Sequence, residues 1–468
     1  ISVTDGNEVH GLGNKGCQVF FGQSALLNNN QGLGNIALGY EAMKANVSGC
    51  YNTAVGHQAL NCNTTASFNV AIGSCASGCN TTGEFNVAVG FSALCTNTIG
   101  CQNVAIGYEA MTLNTTGSFN TAVGRQALRN NTTGQYNVAI GYNTLRPNTT
   151  GQYNVAIGFQ SLTNNITGMR NTAVGYQALA SNTANDNVAV GINTLYSNTT
   201  GFSNVAVGYS TLYANTTGVY NTAIGQQSLA ANTTGQKNVG VGYHALRCNT
   251  TGKTNVGVGY KSACKTTYGE SNVAIGYESF RDNTIGCMNV AIGLNSLLLN
   301  TTGCWNTAIG SNVGYKNTTG VRNTYIGYQT GMCNETGTDN VALGTQSLRF
   351  NTVSKNIGIG YQAAYLNTTG LGNVAIGTCS LHQNTTGVCQ IAIGEEALYS
   401  HTTGYQNIAI GFKAARENVC GNTSIFIGVC SGHSSGNGYG NIAMGIESYC
   451  SGTGSSNVAI GAQAFKCA

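Results

Sequence analysis

The sequence predicts an all-β fold, a parallel β-solenoid of about 27 coils with a 17-residue repeat. Three observations predict it. A glycine ends each Asn-x-Ala-x-Gly phrase from Gly22 to Gly461, and of the 26 intervals between these 27 glycines, 23 are 17 residues and three are 16. Inside the phrase, large and small side chains alternate with the period of a strand, as in Asn154-Val155-Ala156-Ile157-Gly158. Seventeen residues are too few for two packed helices, and a glycine in every repeat weakens any helix.

The elements follow in order along one repeat, with the closing glycine taken as position 0. Positions −3 to −1 form a short strand. A corner follows, and position +4 carries a large apolar residue, as at Leu60, Leu94, Leu128, Leu145, Leu162, Leu179 and Leu195. Asn-Thr-Thr-Gly, beginning at +7, reads as a turn in which glycine can take a positive φ. One such unit cannot bury its own apolar face. Stacked copies can, with Val over Val, Ile over Ile and Leu over Leu. At roughly 4.8 Å per coil, 27 coils would make a rod about 130 Å long. The asparagine at −4 recurs in 24 of the 27 coils, with Gln18, Gln390 and Ser424 as the exceptions. An amide ladder that holds the corner shut accounts for this row better than a ligand stripe does.

The beat never breaks, so the chain reads as one continuous solenoid domain over 1–468, with 1–16 a degenerate first coil. Only 7% of the residues are charged, the net charge is +4, and Lys and Arg form no run. That excludes an electrostatic footprint for nucleic acid or an anionic membrane surface. No apolar stretch approaches the roughly 20 residues of a spanning helix. Eighteen cysteines favour an oxidising, extracellular or cell-surface setting.

Asn-Val-Ala-Ile-Gly resembles the head repeats of YadA-like trimeric autotransporter adhesins. Asn-Thr-Ala-Val-Gly-Tyr-Gln-Ala-Leu, residues 171–179, is similar to repeats of bacterial and phage tail-fibre-like proteins. The resemblance implies parallel β coils and, often, trimers. It departs from that group in its longer coils, in its cysteines and in the absence of a heptad stalk, and it carries fold better than function.

Sixteen of the turn asparagines satisfy the Asn-x-Ser/Thr acceptor pattern: Asn46, Asn63, Asn80, Asn114, Asn131, Asn148, Asn165, Asn198, Asn215, Asn232, Asn249, Asn300, Asn317, Asn334, Asn367 and Asn384. A glycan needs an exposed, flexible acceptor, which a solenoid turn would supply. Asn46-Val-Ser, Asn165-Ile-Thr and Asn334-Glu-Thr change the middle residue and keep the hydroxyl, whereas Asn97, Asn182, Asn283 and Asn351 lose it. Turn physics alone also selects Asn, Thr and Gly. With the cysteines added, the sequence tips towards N-glycans along one edge.

Stacked positions about 4.8 Å apart lie within reach of a disulfide. Cys248 and Cys264, Cys287 and Cys304, and Cys450 and Cys467 share nearly the same phase in neighbouring coils. Cys62, Cys79 and Cys95 form a run of three, and Cys95 could instead close a turn with Cys101. Cys75 and Cys79 prompt a metal reading, but without a histidine or paired Cys-x-x-Cys spacing, structural disulfides fit better. Cys17 and Cys50 lack an obvious partner in an adjacent coil.

Six histidines, at 10, 57, 244, 382, 401 and 433, share no neighbourhood, and Glu395–Glu396 is a lone acidic pair. Ladders rather than pockets argue against an enzyme, and no cofactor is implied. Tyrosines at +1, including Tyr142, Tyr176, Tyr243, Tyr260 and Tyr277, could stack on sugars but more simply stack on each other. Residues 1–6 resemble a strand phrase one residue out of register, and the chain stops in mid-coil seven places after Gly461, so end coils could continue each other's ladders. The expected function is therefore an extracellular structural fibril: a solenoid that polymerises head to tail, braced by disulfides and N-glycosylated along one edge. The alternative is a trimeric adhesin or tail-fibre shaft, with a small apolar face such as Ala156 and Gly158 packed against sister chains. Ice or carbohydrate binding comes third.

Overall fold

A computed structural model describes residues 18–466. The expected joining strand over residues 1–16, together with Cys17 and Cys467, lies outside them. The chain divides into two compact units, Ile1–Thr234 and Gly235–Ala468. Each is a parallel β-solenoid with a repeat of about 17 residues, and among the described residues neither contains a helix.

The first unit runs from the strand Val19–Phe21 to Thr222–Ile224, and the second from Val239–Val241 to Val458–Ile460. Within each unit the strands of the main sheet are three residues long and stack in register, as Val138 on Val155, Ala139 on Ala156 and Ile140 on Ile157. Late in the second unit, Ser434–Ser435 and Ser451–Gly452 add a small parallel pair.

Between strands the chain turns by alternating handedness. Gln160, Leu162 and Tyr153 hold φ of 53°, 51° and 58°, in the left-handed region, and their counterparts do so in almost every coil. That region costs an L-residue about 1–2 kcal/mol. The alternation flips successive peptides, so each finds a partner in a neighbouring coil. The amides of Gly158 and Gln160 donate to Ile140 and Tyr142 of the preceding coil, and those of Leu162 and Asn164 donate to Ala178 and Ala180 of the following one. Paired backbone groups on both sides hold conformations that an isolated chain would leave. Gly158 is needed outright: its φ is +122°, and a Cβ there would sit 2.5 Å from the Gly175 carbonyl oxygen.

The interior is narrow. Ala156 and Leu162 are fully buried, and hydroxyls at +3, such as Thr144 and Ser279, donate to the carbonyls of Gly158 and Ala291 in the following coil. Val155 and Ile157 point outwards and remain half-buried. This corrects the expected packing surface: Ala156 lies inside its own coil and cannot meet a sister chain, so Val and Ile make the outer face.

Two departures from the repeat keep the stack intact. In the 16-residue coil ending at Gly191, the residue is lost from the turn. The Ala184 carbonyl there accepts from Asn171 and Asn182, the role that glycine plays elsewhere, and Thr172 still pairs with Val188. Tyr325 and Phe426 occupy alanine positions, and Gly331 and Gly432 occupy the leucine positions that follow them. A Cβ on Gly331 would lie 2.7 Å from the Tyr325 ring, and one on Gly432 would overlap Phe426.

Candidate functional surfaces

Two amide ladders organise the polar interior. At −4, the Asn154 backbone N–H and Nδ2 both donate to Oδ1 of Asn137, at 3.0 and 3.1 Å, and Nδ2 also reaches the Gly168 carbonyl at 2.8 Å. This is the ladder expected from the sequence. At +7 a second one appears: Asn148 Nδ2 donates to Asn131 Oδ1 at 2.8 Å and to the Gly151 carbonyl at 3.1 Å. All sixteen acceptor asparagines, from Asn46 to Asn384, sit in this second row with zero exposure. The expectation of an exposed, flexible acceptor is therefore corrected. The nitrogen that would carry the sugar is already committed inside the coil, and the next coil leaves no room beside it.

The turn threonines lie outside this row. Thr132 and Thr149 hydroxyls donate to the carbonyls of Thr149 and Ile166 in the following coil. Each first threonine of a turn is thus spent on the stack, and the second, as at Thr150, is exposed.

The cysteines come together largely as stacking dictates. Cys287 and Cys304 place their sulfurs 2.8 Å apart. The Cys248 amide donates to the Cys264 carbonyl at 3.0 Å, and the two thiols are hydrogen-bonded partners. The Cys79 amide donates to the Cys95 carbonyl at 2.8 Å, and Cys62 is hydrogen-bonded to Cys79. Burial first, and then the neighbouring Cys79 and Cys75, push Cys95 up to about 11. Cys101 belongs elsewhere: its sulfur accepts from the Glu84 amide at 3.4 Å and its own amide meets Ser118. The alternative closure of Cys95 with Cys101 is not brought together. The Cys450 sulfur lies against the carbonyls of Glu447 and Cys430. Among the described residues, no three His, Cys, Asp or Glu side chains are placed to hold a metal ion.

Aromatic side chains form columns. At +1, Tyr142, Phe159 and Tyr176 stack with ring centroids 5.4 and 5.3 Å apart, and Tyr243, Tyr260 and Tyr277 do the same at 5.3 and 5.0 Å. A second column, two residues before the outward valine, runs through Phe119, Tyr136 and Tyr153 at 4.8 and 5.1 Å. The rings lie nearly parallel, so their faces cover each other and only edges meet solvent. That disposition leaves little stacking surface for a sugar.

Between these columns in sequence lie the two outward rows of the strand. Ile72, Ile106 and Ile140 are 41%, 39% and 38% exposed. Across all the coils neither row holds a charged residue, and Thr53, Thr121, Thr172, Thr222, Thr307 and Thr324 are its only polar members. The sequence contains this feature in plain sight. Sequence reasoning misses it because alternation shows which residues share a face and not which face turns inwards.

Two coils replace both ladder asparagines: one carries the small hydroxyls Ser424 and Ser435, and the other puts larger side chains in both rows. Gln390 stands at −4 and His401 at +7, and His401 is fully buried. Its Nε2 lies 3.1 Å from Gln390 Nε2, and its Nδ1 lies 3.2 Å from the Asn418 carbonyl oxygen. Burial holds this imidazole below its ordinary pKa, partly offset by the Asn418 and Gly404 contacts. Its ring cannot continue the ladder, and Asn384 Oδ1 in the coil before is left buried without a partner. No helix among the described residues is long and apolar enough to cross a membrane. Neither a protein-family model nor a curated protein sequence matches the chain.

Proposed function

We propose that the chain is a structural fibre protein: a β-solenoid shaft at a cell or particle surface, whose copies stand side by side along the Val/Ile face. The observation that carries this reading is the uncharged Val/Ile face that each unit presents. At roughly 70 Å² for each two-fifths-exposed isoleucine, ten coils of one row alone reach about 700 Å², above the 300–600 Å² of an ordinary monomer's largest apolar patch. A second copy is the occupant that fits best. It presents the same two rows at the same coil spacing, so the two faces stay in step over any length, whereas a partner of different period would drift out of register.

Head-to-tail growth is supported by a different observation. Each ladder asparagine donates to the coil before it and accepts from the coil after it. The stack therefore has direction, and coils of two copies can join only head to tail, a contact that extends without closing. An extracellular site, disulfide bracing and a role without catalysis belong to the same proposal. Ice and carbohydrate binding draw less support, because the first turn hydroxyls and the ring faces are taken up by the stack itself.

Electron microscopy of the native, unreduced protein tests this. Bundles of uniform length near 130 Å support side-by-side shafts, and longer filaments with that repeat support head-to-tail growth as well. Single isolated rods at micromolar concentration would overturn the proposal.

A further inference from the structure

Cys248 and Cys264 are one of several stacked cysteine pairs, but their surroundings differ from the rest. Arg247 and Lys265 directly neighbour the two cysteines in sequence, and both are exposed. Lys261 lies one turn earlier in the Cys264 coil, with its Nζ over the Tyr260 ring. Lys265 also meets Asp282 at 3.0 Å, while Arg281 is engaged by Asp282 and Glu278. The pair thus sits in a mainly cationic patch, half-buried but reachable from solvent. Neither thiol is used by the ladders or by the core.

We propose that Cys248 and Cys264 form a thiol–disulfide exchange site that takes small anionic disulfides such as oxidised glutathione, with Cys248 as the attacking sulfur and Cys264 as the resolving one. The Cys248 thiolate attacks one sulfur of the disulfide, forming a mixed disulfide and releasing one glutathione thiolate. Cys264 then attacks the Cys248 sulfur, expelling the second glutathione, whose thiolate takes up the Cys264 proton. Two protein thiols are oxidised to one bond and one disulfide is reduced to two thiols. The product ties two adjacent coils, a separation that a disulfide tolerates without moving the backbone.

The assignment of roles has a physical basis beyond proximity. The Cys264 thiol, acting as hydrogen-bond partner, draws Cys248 below the ordinary thiol range against the cost of burial, and Arg247 and Lys265 add to this. Cys264 itself moves the opposite way, held protonated by the same contact and by burial. Cys287 is pushed up to about 11, first by burial and then by Cys304 and Glu270. Burial likewise raises Cys62, Cys95 and Cys379. The Cys248 thiol therefore ionises more readily than the Cys287 thiol. Even after allowing for the weaker nucleophilicity of a low-pKa thiolate, Cys248 should react at least about tenfold faster.

The test uses the full reduced chain, oxidised glutathione at pH 7, timed quenching with an alkylating agent and peptide mapping by mass spectrometry. The Cys248–Cys264 link is expected first, at least tenfold ahead of Cys287–Cys304. In Cys264→Ser, a single glutathione adduct should accumulate on Cys248, and Arg247→Ala should slow its formation. Alkylation of Cys248 in the unaltered chain should reach its half-point at a lower pH than alkylation of Cys287. Closure of Cys287–Cys304 first, or an adduct on other cysteines of Cys264→Ser with none on Cys248, would overturn the assignment. None of these readouts depends on whether the chain assembles into fibres.

Discussion

Tyr325 shows how the repeat tolerates a residue that it should reject. Its ring fills the place of an alanine side chain and also the space left by two missing leucines, since Gly314 and Gly331 hold the +4 positions on either side. Volume is conserved across neighbouring coils rather than within one position. Tyr325→Ala alone should leave a cavity and cost about 3–5 kcal/mol, by analogy with other large-to-alanine core changes. Gly331→Leu alone should clash with the ring. The double change restores the common repeat and should recover most of the loss, as Leu348 already holds the same left-handed φ one coil later. Thermal unfolding of the four species measures the coupling, and simple additivity of the two single changes would rule out this compensation between coils.

His401 makes a second prediction at the same scale, through pH. Its folded-state pKa lies below the unfolded value, because burial disfavours the imidazolium. The unfolded chain therefore binds the extra proton first as pH falls below about 6.5. The contribution of the neutral imidazole is fully present above that pH and is lost on the way down to the lowered value. The groups around it, Gln390, Asn418 and Gly404, are neutral and offer no carboxylate to compensate. Replacing the pair, His401→Asn with Gln390→Asn, restores the common ladder. The drop in melting temperature between pH 7.5 and 5 should then shrink. An unchanged drop would mean that His382 and His244, whose pKa values burial also lowers, carry the effect.

At the scale of one coil, the sequence made the architecture legible and half of the site unreadable. The glycine beat could be read because stacking and a φ near +130° admit no other residue there. The −4 ladder could be read because an amide kept in 24 of 27 strand corners must serve the stack itself, each side chain bonding to its own copy in the next coil. The turn asparagines misled because their triplet satisfies turn chemistry and a glycosylation acceptor at once. The informative residues were Asn97, Asn182, Asn283 and Asn351, which keep the amide after the third hydroxyl is lost, as a ladder requires and a glycan does not. Two substitutions separate the readings. Asn148→Ala removes donors to Asn131 and Gly151 and the acceptor for Asn165, and should cost roughly 2–4 kcal/mol. Thr150→Ala abolishes the acceptor pattern at an exposed side chain and should change stability by no more than about 0.5 kcal/mol. The intact mass of protein from a glycosylating host should show no loss of sugar in Thr150→Ala. A lost glycan accompanied by lower stability would reverse the conclusion.

For the whole molecule, the inverted sheet decides the question of association. Alanine inside and isoleucine outside is an uneconomical choice for a solenoid that stays alone in water, since it spends the larger apolar side chains on solvent. It becomes favourable once the outer rows are covered, because burying them then adds to the stability that the narrow interior can supply only sparingly. A paired change tests this without disturbing the coil: Ile140→Lys with Ile157→Glu places opposite charges on adjacent strands, where they attract along the ladder. Neither side chain reaches the interior, so circular dichroism and the melting profile of the isolated chain should hold. An apolar interface must bury both charges, so the associated species should weaken by an order of magnitude or more in sedimentation equilibrium. Added salt should not restore it, since the penalty is desolvation rather than long-range repulsion. If the pair leaves the assembly state unchanged, the Val/Ile face is not where copies meet, and the shaft must be held together at its ends or through its cysteines.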